Sequence, residues 1–173
     1  MPAGSPATPM RNLGRLALAM AAAAICAARA DLVPGDAFPR VGPGAGAGAL
    51  VPGTEGRVLL VDFWASWCAP RRASFPAYGR LYAEYAPKGL VIIGVGEDED
   101  PGKYASFLRK YSPHFPVVLD QGQQLVARVG VPTMPTSYLI DRRGRVRFVL
   151  AGYHGAETDR AVRRDVEILL SER

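Results

Sequence analysis

A cysteine at the boundary between a buried strand and a helix constrains the fold of this chain more than any other feature. The run RVLLVDFWA, residues 57–65, is apolar and rich in β-branched residues, which predicts a central strand buried on both faces. After Cys68, apolar residues recur at helical spacing over residues 75–85, which predicts a helix behind the cysteine. Cys68 is therefore expected at a helix N-terminus, where unpaired N–H groups and the helix dipole favour the thiolate.

The rest of the chain alternates strand and helix patterns and ends in a hairpin and a helix. Residues 89–96 have the pattern of a second buried strand, and Asp100-Pro101 that of an N-cap and first position of a helix. The remaining predicted elements are a short strand (115–120), a short helix (121–129), two strands around the turn at 142–144 and a helix (157–170). This order predicts an α/β fold with a mixed central sheet flanked by helices on both faces.

Residues 1–30 have the pattern of a secretory signal peptide. Two arginines precede an uncharged apolar run, residues 16–28, and Ala28-Arg29-Ala30 forms a small-residue cleavage site. The run is too short for a bilayer-spanning helix, which needs roughly 20 residues. We therefore expect cleavage after Ala30, export to the periplasm and no stable membrane insertion afterwards. Residues 31–56, rich in Gly, Pro and Ala, are predicted to be an irregular arm, and residues 57–173 a single domain.

The cysteine count is the oddity of this chain. Cys26 lies in the predicted signal peptide, and the large Ile25 before it argues against lipid attachment, so the exported form is expected to keep only Cys68. Arg71 stands where a C-x-x-C motif has its second cysteine, so no intramolecular disulfide is expected. The Arg71 charge would favour the thiolate further if it points toward the sulfur. The plainer alternative is that Cys68 is a small buried apolar residue.

Charge and composition argue against nucleic acid and metal as ligands. Removal of residues 1–30, which carry three arginines and no acidic residue, lowers the formal net charge from +5 to +2. No cluster of Lys and Arg with interleaved aromatics remains. The acidic run EDED, residues 97–100, is expected to be solvated and to support the helix after it, and the two histidines lack metal-ligand spacing. We therefore expect no metal, no other cofactor and no nucleic-acid partner.

Two stretches of the chain resemble a known family. VDFWASWCAP followed by FP, with MPTSYLIDRRGRV downstream, is similar to the thioredoxin fold and to the exported TlpA/ResA-like thiol–disulfide oxidoreductases of the redoxin family. The resemblance extends over about residues 36–170 and is densest at 57–85 and 129–153. It implies a thioredoxin-like fold, cysteine-containing proteins or small thiols as partners, and a membrane thiol-reductant protein as a candidate electron donor.

The resemblance also implies roles for individual residues around the cysteine. Cys68 would be the attacking thiol, and Trp67 the aromatic side chain that shields it. Asp62 would be the buried acid that assists proton transfer, although a strand-end polar residue bonded to the backbone is the plainer interpretation. The remaining positions of the motif are Ala69, Pro70 and Arg71.

A substrate groove is implied at the downstream stretch. Pro135 matches the cis-proline that faces the cysteine, and Met134 would offer its backbone to an extended partner segment, with Thr136 as the next residue of the groove. Because Pro132 is close by, the sequence leaves open which of the two prolines is cis. The plainer interpretation of Pro135 is an ordinary loop proline.

Two departures from the family pattern bear on activity: Arg71 replaces the second cysteine, and Ser74 stands where many of these reductases have a glutamate. Disulfide exchange passes through a mixed disulfide that a second thiol releases, and arginine cannot release it. We therefore predict a monothiol oxidoreductase whose intermediate an external thiol resolves. The alternative is a redox-inactive module that holds thiol proteins or peptides in the cis-proline groove. A thiol peroxidase would need one cysteine, but Ala65 stands where those enzymes place a threonine.

Overall fold

The predicted strand ahead of Cys68 is the central strand of the sheet. The computed structural model describes Met1 and residues 31–41, 53–68 and 71–172, with Arg71 described by its backbone alone. The elements within these residues are, in chain order, β1 (Val58–Trp64), α1 (Arg71–Tyr85), a 3₁₀ helix (Ala86–Lys88), β2 (Leu90–Gly96), α2 (Pro101–Tyr111), β3 (Val117–Leu119), α3 (Gln124–Val129), β4 (Thr136–Ile140), β5 (Val146–Ala151) and α4 (Ala156–Ser171).

The strands of the described residues form one five-stranded mixed sheet in the order β3-β2-β1-β4-β5. β2 pairs in parallel with both β1 and β3, and β4 pairs antiparallel with both β1 and β5. The helices α1 and α2 make the two crossovers that parallel neighbours require, whereas a tight turn suffices between β4 and β5. The predicted α/β class with a mixed sheet is therefore confirmed.

Side chains of β1 alternate between two apolar cores, one on each face of the sheet. Phe63 belongs to the core that also contains Tyr138 of β4. Trp64 belongs to the opposite core, where it packs with Phe75 of α1 and in which Val166 of α4 is also buried. Because successive strand residues point to opposite faces, an apolar run without alternation is what a strand buried on both faces needs.

Two glycines of β2 make room for Trp64. A Cβ atom on Gly96 would lie 2.6 Å from the ring of Tyr104, and one on Gly94 would lie 3.3 Å from Trp64 Nε1. The Trp64 and Tyr104 rings stack with their centroids 5.6 Å apart. A side chain at Gly96 would displace this stack, so glycine there lets the end of β2 lie close against the aromatic core.

Residues 31–41, part of the predicted irregular arm, pack against the sheet. They form no helix or strand, but Ala37 bridges Arg145 next to β5. Phe38 and Val41 are buried in the same core as Phe63. The packed unit therefore begins earlier than the predicted boundary at residue 57.

The described residues contain no helix that is both long and apolar enough to cross a membrane. Apart from Met1, the predicted signal peptide lies outside those residues.

Candidate functional site

The carboxyl ends of the three parallel strands meet at one edge of the sheet, and polar residues follow each strand there. Cys68 follows β1, Glu97 and Asp98 follow β2, and Asp120 follows β3. This edge is where sheets with parallel strands and crossover helices usually bind ligands, because the connecting loops converge there. The candidate site is built from these loops.

Cys68 lies in the loop between β1 and α1, as predicted. Its backbone N–H donates to the carbonyl of Ala65 at 3.0 Å, and the residue is only 6% exposed. It forms no disulfide within the described residues. Ala69, Pro70 and the Arg71 side chain lie outside them, so the predicted contact between that guanidinium and the thiol stays a prediction.

The cis peptide bond of the described residues lies between Met134 and Pro135, not before Pro132. The Pro135 carbonyl accepts a hydrogen bond from Gly152 N–H at 2.7 Å, which ties this loop to the end of β5. Pro135 is buried and Met134 is half-buried, so Met134 is the more accessible of the two proposed groove residues.

The two other predicted contact residues differ sharply in exposure. Trp67 is 71% exposed, so most of its indole faces solvent beside the buried Cys68. Thr136 is buried, and its hydroxyl donates to the carbonyl of Thr133 at 2.8 Å. The Thr136 side chain therefore braces its own loop, and a partner could contact Trp67 far more readily.

Asp62 is fully buried in β1 and accepts a hydrogen bond from the Ser137 hydroxyl at 2.7 Å. Ser137 faces Asp62 in the antiparallel register of β4, and its Oγ also lies 3.1 Å from the Tyr78 hydroxyl of α1. Because a serine hydroxyl has one proton, Tyr78 donates to Ser137 when Ser137 donates to Asp62. Asp62 is therefore bonded to a side chain of the neighbouring strand, which the sequence did not indicate.

The acidic run at residues 97–100 corrects the expectation that these residues are solvated. Glu97 is 5% exposed and Asp98 is 6% exposed, whereas the next two acids are exposed. The expectation was wrong for the first pair because the chain continues along the sheet edge after β2, where Glu97 N–H donates to the Trp64 carbonyl at 2.7 Å. Glu97 and Asp98 therefore lie between the ends of β1 and β3.

Asp98 holds the loop that carries the cysteine. Its two carboxylate oxygens accept from Ser66 N–H at 3.0 and 3.2 Å, and one of them also accepts from the Ser66 hydroxyl at 2.6 Å. Ser66 directly precedes Trp67 and lies two residues before Cys68. Asp98 is therefore a positioning residue for this loop, one that sequence reasoning missed.

The side chain of Glu97, unlike that of Asp98, makes no hydrogen bond to the described residues. Neither of its carboxylate oxygens has a hydrogen-bond partner in the described part of the chain. Burial, together with the charges of Asp120 and Asp98, raises the pKa of Glu97 to about 8. Asp120 accepts from the N–H groups of Leu125 and Val126 with one oxygen, at 2.8 and 2.9 Å, and its other oxygen has no partner among the described residues.

The exposed tryptophan and the acidic segment line one open pocket of about 540 Å³. Its lining includes Trp67, Glu97, Asp98, Lys103, Gln123 and Met134. Lys103 forms no ion pair with any residue of the described ranges, so it does not neutralise these carboxylates directly. No group of three or more His, Cys, Asp or Glu side chains in those ranges is arranged to hold a metal ion.

A cysteine between the central strand and the first helix, a cis-proline loop and this strand order define a thioredoxin-like protein. Residues 50–149 match the model of the AhpC/TSA family, and because this is more than half of the sequence, the chain belongs to that family.

The chain is similar to curated oxidoreductases over part of their length. The thiol-disulfide oxidoreductase ResA of Bacillus anthracis is 37% identical over 92 residues, which are 53% of each chain. That of Bacillus subtilis (strain 168) is 32% identical over 98 residues, 57% of this chain and 55% of the relative. The chain therefore spans about half the length of the curated relatives it matches. The predicted resemblance to ResA-type oxidoreductases is confirmed.

Solved structures agree with the fold. A candidate thiol:disulfide interchange protein DsbE from Chlorobium tepidum is 33% identical, with a TM-score of 0.73 over 81% of this chain and 99% of that one. A secreted Mycobacterium tuberculosis disulfide oxidoreductase homologous to DsbE of E. coli has a TM-score of 0.59 at 22% identity, over 67% of this chain and 84% of that one. The second likeness shows the fold alone, and the predicted thioredoxin-like fold is confirmed.

Proposed function

We propose that this protein is an exported monothiol member of the ResA/DsbE-type oxidoreductases, with Cys68 as its only reactive thiol. The observation that carries the proposal is the position of Cys68 at the β1–α1 junction, at the sheet edge shared with the pocket of Trp67 and Met134. Its substrates are cysteine-containing proteins or small disulfides, and a membrane thiol-reductant protein is the candidate electron donor in the cell.

The exchange needs an external thiol at its second step. The Cys68 thiolate attacks one sulfur of a partner disulfide, the bond between the two partner sulfurs breaks, and the other sulfur leaves as a thiolate that takes up a proton. An external monothiolate then attacks the Cys68 sulfur of the mixed disulfide and releases the reduced partner. A second monothiol frees Cys68 and leaves as an oxidised dimer. The partner disulfide gains two electrons, and two monothiols supply them.

Asp62 is proposed to assist proton transfer at Cys68. Its burial and its hydrogen bond to Ser137 support this role, because Asp62 is a fixed buried acid in the strand that leads directly to Cys68. Asp62→Asn should slow mixed-disulfide formation below neutral pH more than above it. If the slowing is the same at every pH, the role of Asp62 is structural only.

The direct test is mass spectrometry of the chain after reaction with a peptide disulfide. We expect one adduct at Cys68, no adduct at this position in Cys68→Ser, and release of the peptide only when a monothiol such as glutathione is added. Release without added thiol would overturn the monothiol mechanism, and absence of any adduct would overturn the assignment of Cys68 as the nucleophile.

Arg71→Cys tests whether the missing second cysteine is the only block to a two-cysteine cycle. The variant should form an internal disulfide and reduce peptide disulfides with a dithiol donor alone. The matched control is Arg72→Cys, one position further along α1, which should not acquire this activity. A variant that folds and oxidises but still performs no exchange would contradict the proposal that Arg71 is the only block.

The low exposure of Cys68, 6%, favours a second candidate function. A thiol that partners cannot reach would leave a redox-inactive module that holds peptides in the Met134–Pro135 groove. Such a module would bind reduced and oxidised peptides equally and would show no turnover at any concentration of monothiol. Thiol-dependent turnover therefore separates the two functions.

A further inference from the structure

The pocket lined by Trp67 contains a buried acid, Glu97, whose side chain has no hydrogen-bond partner among the described residues. Glu97 is only 5% exposed and lines the pocket. Neither of its carboxylate oxygens has a hydrogen-bond partner in the described part of the chain. A buried polar group without a partner costs stability, so it indicates either a ligand or a function. This distinguishes Glu97 from the exposed acids on the same segment.

The two acids whose charges act on Glu97 both accept hydrogen bonds, although one Asp120 oxygen has no partner among the described residues. Asp98 is bonded to Ser66, and Asp120 is bonded to the first amides of α3. Both raise the pKa of Glu97, so their charges face the same interior space. The local charge is therefore negative and is only partly used by internal hydrogen bonds.

The open side of the pocket is suited to a planar cation. Trp67 is 71% exposed and lines the pocket, and its indole face can hold a guanidinium by stacking and cation–π attraction. The rim is formed by the exposed side chains of Lys103 and Gln123, which are long and can move to admit a ligand. An aromatic side chain and carboxyl groups in one pocket are together suited to an arginine side chain.

The position of the pocket next to Met134 indicates what kind of molecule would carry this cation. Met134 lines the same pocket and precedes Pro135, where a partner segment would lie extended if the proposed function holds. A side chain next to the reacting cysteine of such a segment can then reach the pocket. A metal ion fits less well, because no group of three or more ligating side chains in the described residues is arranged for one.

We infer that this pocket binds the cationic side chain, arginine before lysine, of a residue close to the reactive cysteine in a polypeptide substrate. The inference rests on the proposed function and deepens it, because it names the substrate class: cysteine-containing segments with a neighbouring basic residue. The guanidinium stacks on Trp67 and donates to the Glu97 carboxylate.

Binding of the cation should depend on pH. Glu97 is protonated below about pH 8 in the unliganded protein, so a cation must displace its proton. The titratable and charged groups that act on it or share its pocket are Asp98, Glu99 and Asp100 on its own segment, Asp120 after β3 and Lys103 of α2. We expect arginine preference to rise between pH 6.5 and 8.5, roughly as the carboxylate is formed.

The test uses the full chain with Cys68→Ser and short extended peptides in which serine replaces the reactive cysteine. Arginine, lysine, citrulline or norleucine is placed at each position flanking the serine, and binding is measured by calorimetry and tryptophan fluorescence. In at least one register the arginine peptide should bind about tenfold tighter than the norleucine peptide, with lysine between them and citrulline equal to norleucine. Equal binding of all four in every register overturns the inference.

Variants assign the preference to the pocket. Glu97→Gln should reduce the ratio of arginine-peptide to norleucine-peptide affinity to near one. Trp67→Ala removes an exposed side chain and should reduce this ratio several-fold. Glu157→Gln, an exposed acid of α4 outside the pocket, removes the same charge and should keep the ratio. Circular dichroism and thermal unfolding verify folding of each variant. A folded Glu97→Gln that keeps the tenfold ratio overturns the inference.

Failure of the inference and failure of the proposed function give different results. If wild-type chain forms mixed disulfides equally fast with arginine and norleucine peptide disulfides, the exchange function holds and the cation pocket does not. If the Cys68→Ser chain prefers arginine peptides while the wild type forms no mixed disulfide, the pocket holds and the exchange function does not.

Discussion

Among the buried acids near the candidate site, Asp62 and Glu97 have the most different surroundings. Asp62 is fully buried in the central strand and accepts a hydrogen bond from Ser137, which itself meets Tyr78. Glu97 is almost as deeply buried, yet its oxygens have no hydrogen-bond partner among the described residues. The first carboxylate is part of the packing that joins β1, β4 and α1, whereas the second lies beneath an open pocket.

The difference shows where this fold can tolerate an unsatisfied charge. Leaving the Asp62 carboxyl without a donor would cost stability in the core between the sheet and α1. Glu97 avoids part of this cost because its raised pKa, about 8, keeps it protonated at neutral pH. A carboxyl that is neutral alone and charged beside a cation is suited to ligand binding, not to holding the fold together.

The largest expected effect comes from removing the Glu97 carboxyl. Its pKa is raised from 4.5 to about 8 in the folded protein. Between these pH values the folded protein keeps a proton on Glu97 that the unfolded chain releases. The contribution of Glu97 to stability is therefore most favourable below pH 4.5 and is lost as the pH rises through about 8. At pH 9, Glu97→Gln should be more stable than wild type by on the order of 3 kcal/mol, and at pH 4 the two should be similar.

Urea denaturation of both chains between pH 4 and 9 measures this difference, with Glu157→Gln as the control for simple loss of one acid. Parallel stability curves for wild type and Glu97→Gln across this range would show that Glu97 titrates normally, and the contrast with Asp62 would disappear.

The next effect concerns the satisfied carboxylate. Ser137→Ala removes the hydroxyl that donates to Asp62 and leaves a buried acceptor with one donor fewer. We expect a loss of about 2 kcal/mol in the free energy of unfolding, because both Asp62 and the Tyr78 hydroxyl lose a buried hydrogen-bond partner. The exposed Ser106→Ala in α2 is the matched control and should change stability little. A Ser137→Ala chain as stable as wild type would mean that Asp62 is held by its other contacts.

Local patterns were enough to predict most of the fold. The strand at β1 is an uninterrupted apolar run, and α2 begins at Pro101 after an aspartate that accepts from Gly102 N–H at 2.8 Å, as predicted. Both depend on neighbours within a few residues. The pairing of Asp62 with Ser137 depends on the register of two strands that are 75 residues apart in sequence, which no local pattern contains.

The burial of Glu97 and Asp98 could have been inferred in part. Acids follow β2 and β3, which lie on the same side of β1 in a parallel arrangement, and the carboxyl ends of parallel strands meet at one edge. Composition alone suggested solvation, because an isolated acidic run is usually exposed. The Gly- and Pro-rich composition of the arm likewise gave no sign that Phe38 and Val41 are buried in the core.

Asp98 offers a way to separate positioning from ligand binding within the acidic segment. Asp98→Asn keeps the size of the side chain but weakens its bonds to Ser66, so the loop before Cys68 should open more often. We expect a loss of about 1.5 kcal/mol in stability and faster hydrogen exchange at the Ser66 amide. Glu99→Gln, its exposed neighbour, should leave that amide unchanged. Unaltered exchange in Asp98→Asn would show that Asp98 does not hold the loop.

The smallest effect belongs to the last acid of the segment, whose role is local. Asp100 caps α2 by accepting from Gly102 N–H at 2.8 Å, and it is exposed. Asp100→Ala removes an acceptor for N–H groups at the first turn of α2, so we expect a loss of about 1 kcal/mol in the free energy of unfolding. Thermal unfolding of Asp100→Ala and of Glu99→Ala measures it, since the second variant removes a neighbouring charge without removing a cap. Equal melting temperatures for these two variants would mean that the cap contributes nothing beyond the charge of the segment. A lower melting temperature for Asp100→Ala alone would show that Asp100 stabilises the start of α2. If Asp100→Ala also keeps the preference for arginine peptides, Asp100 has no part in binding the cation and Glu97 does.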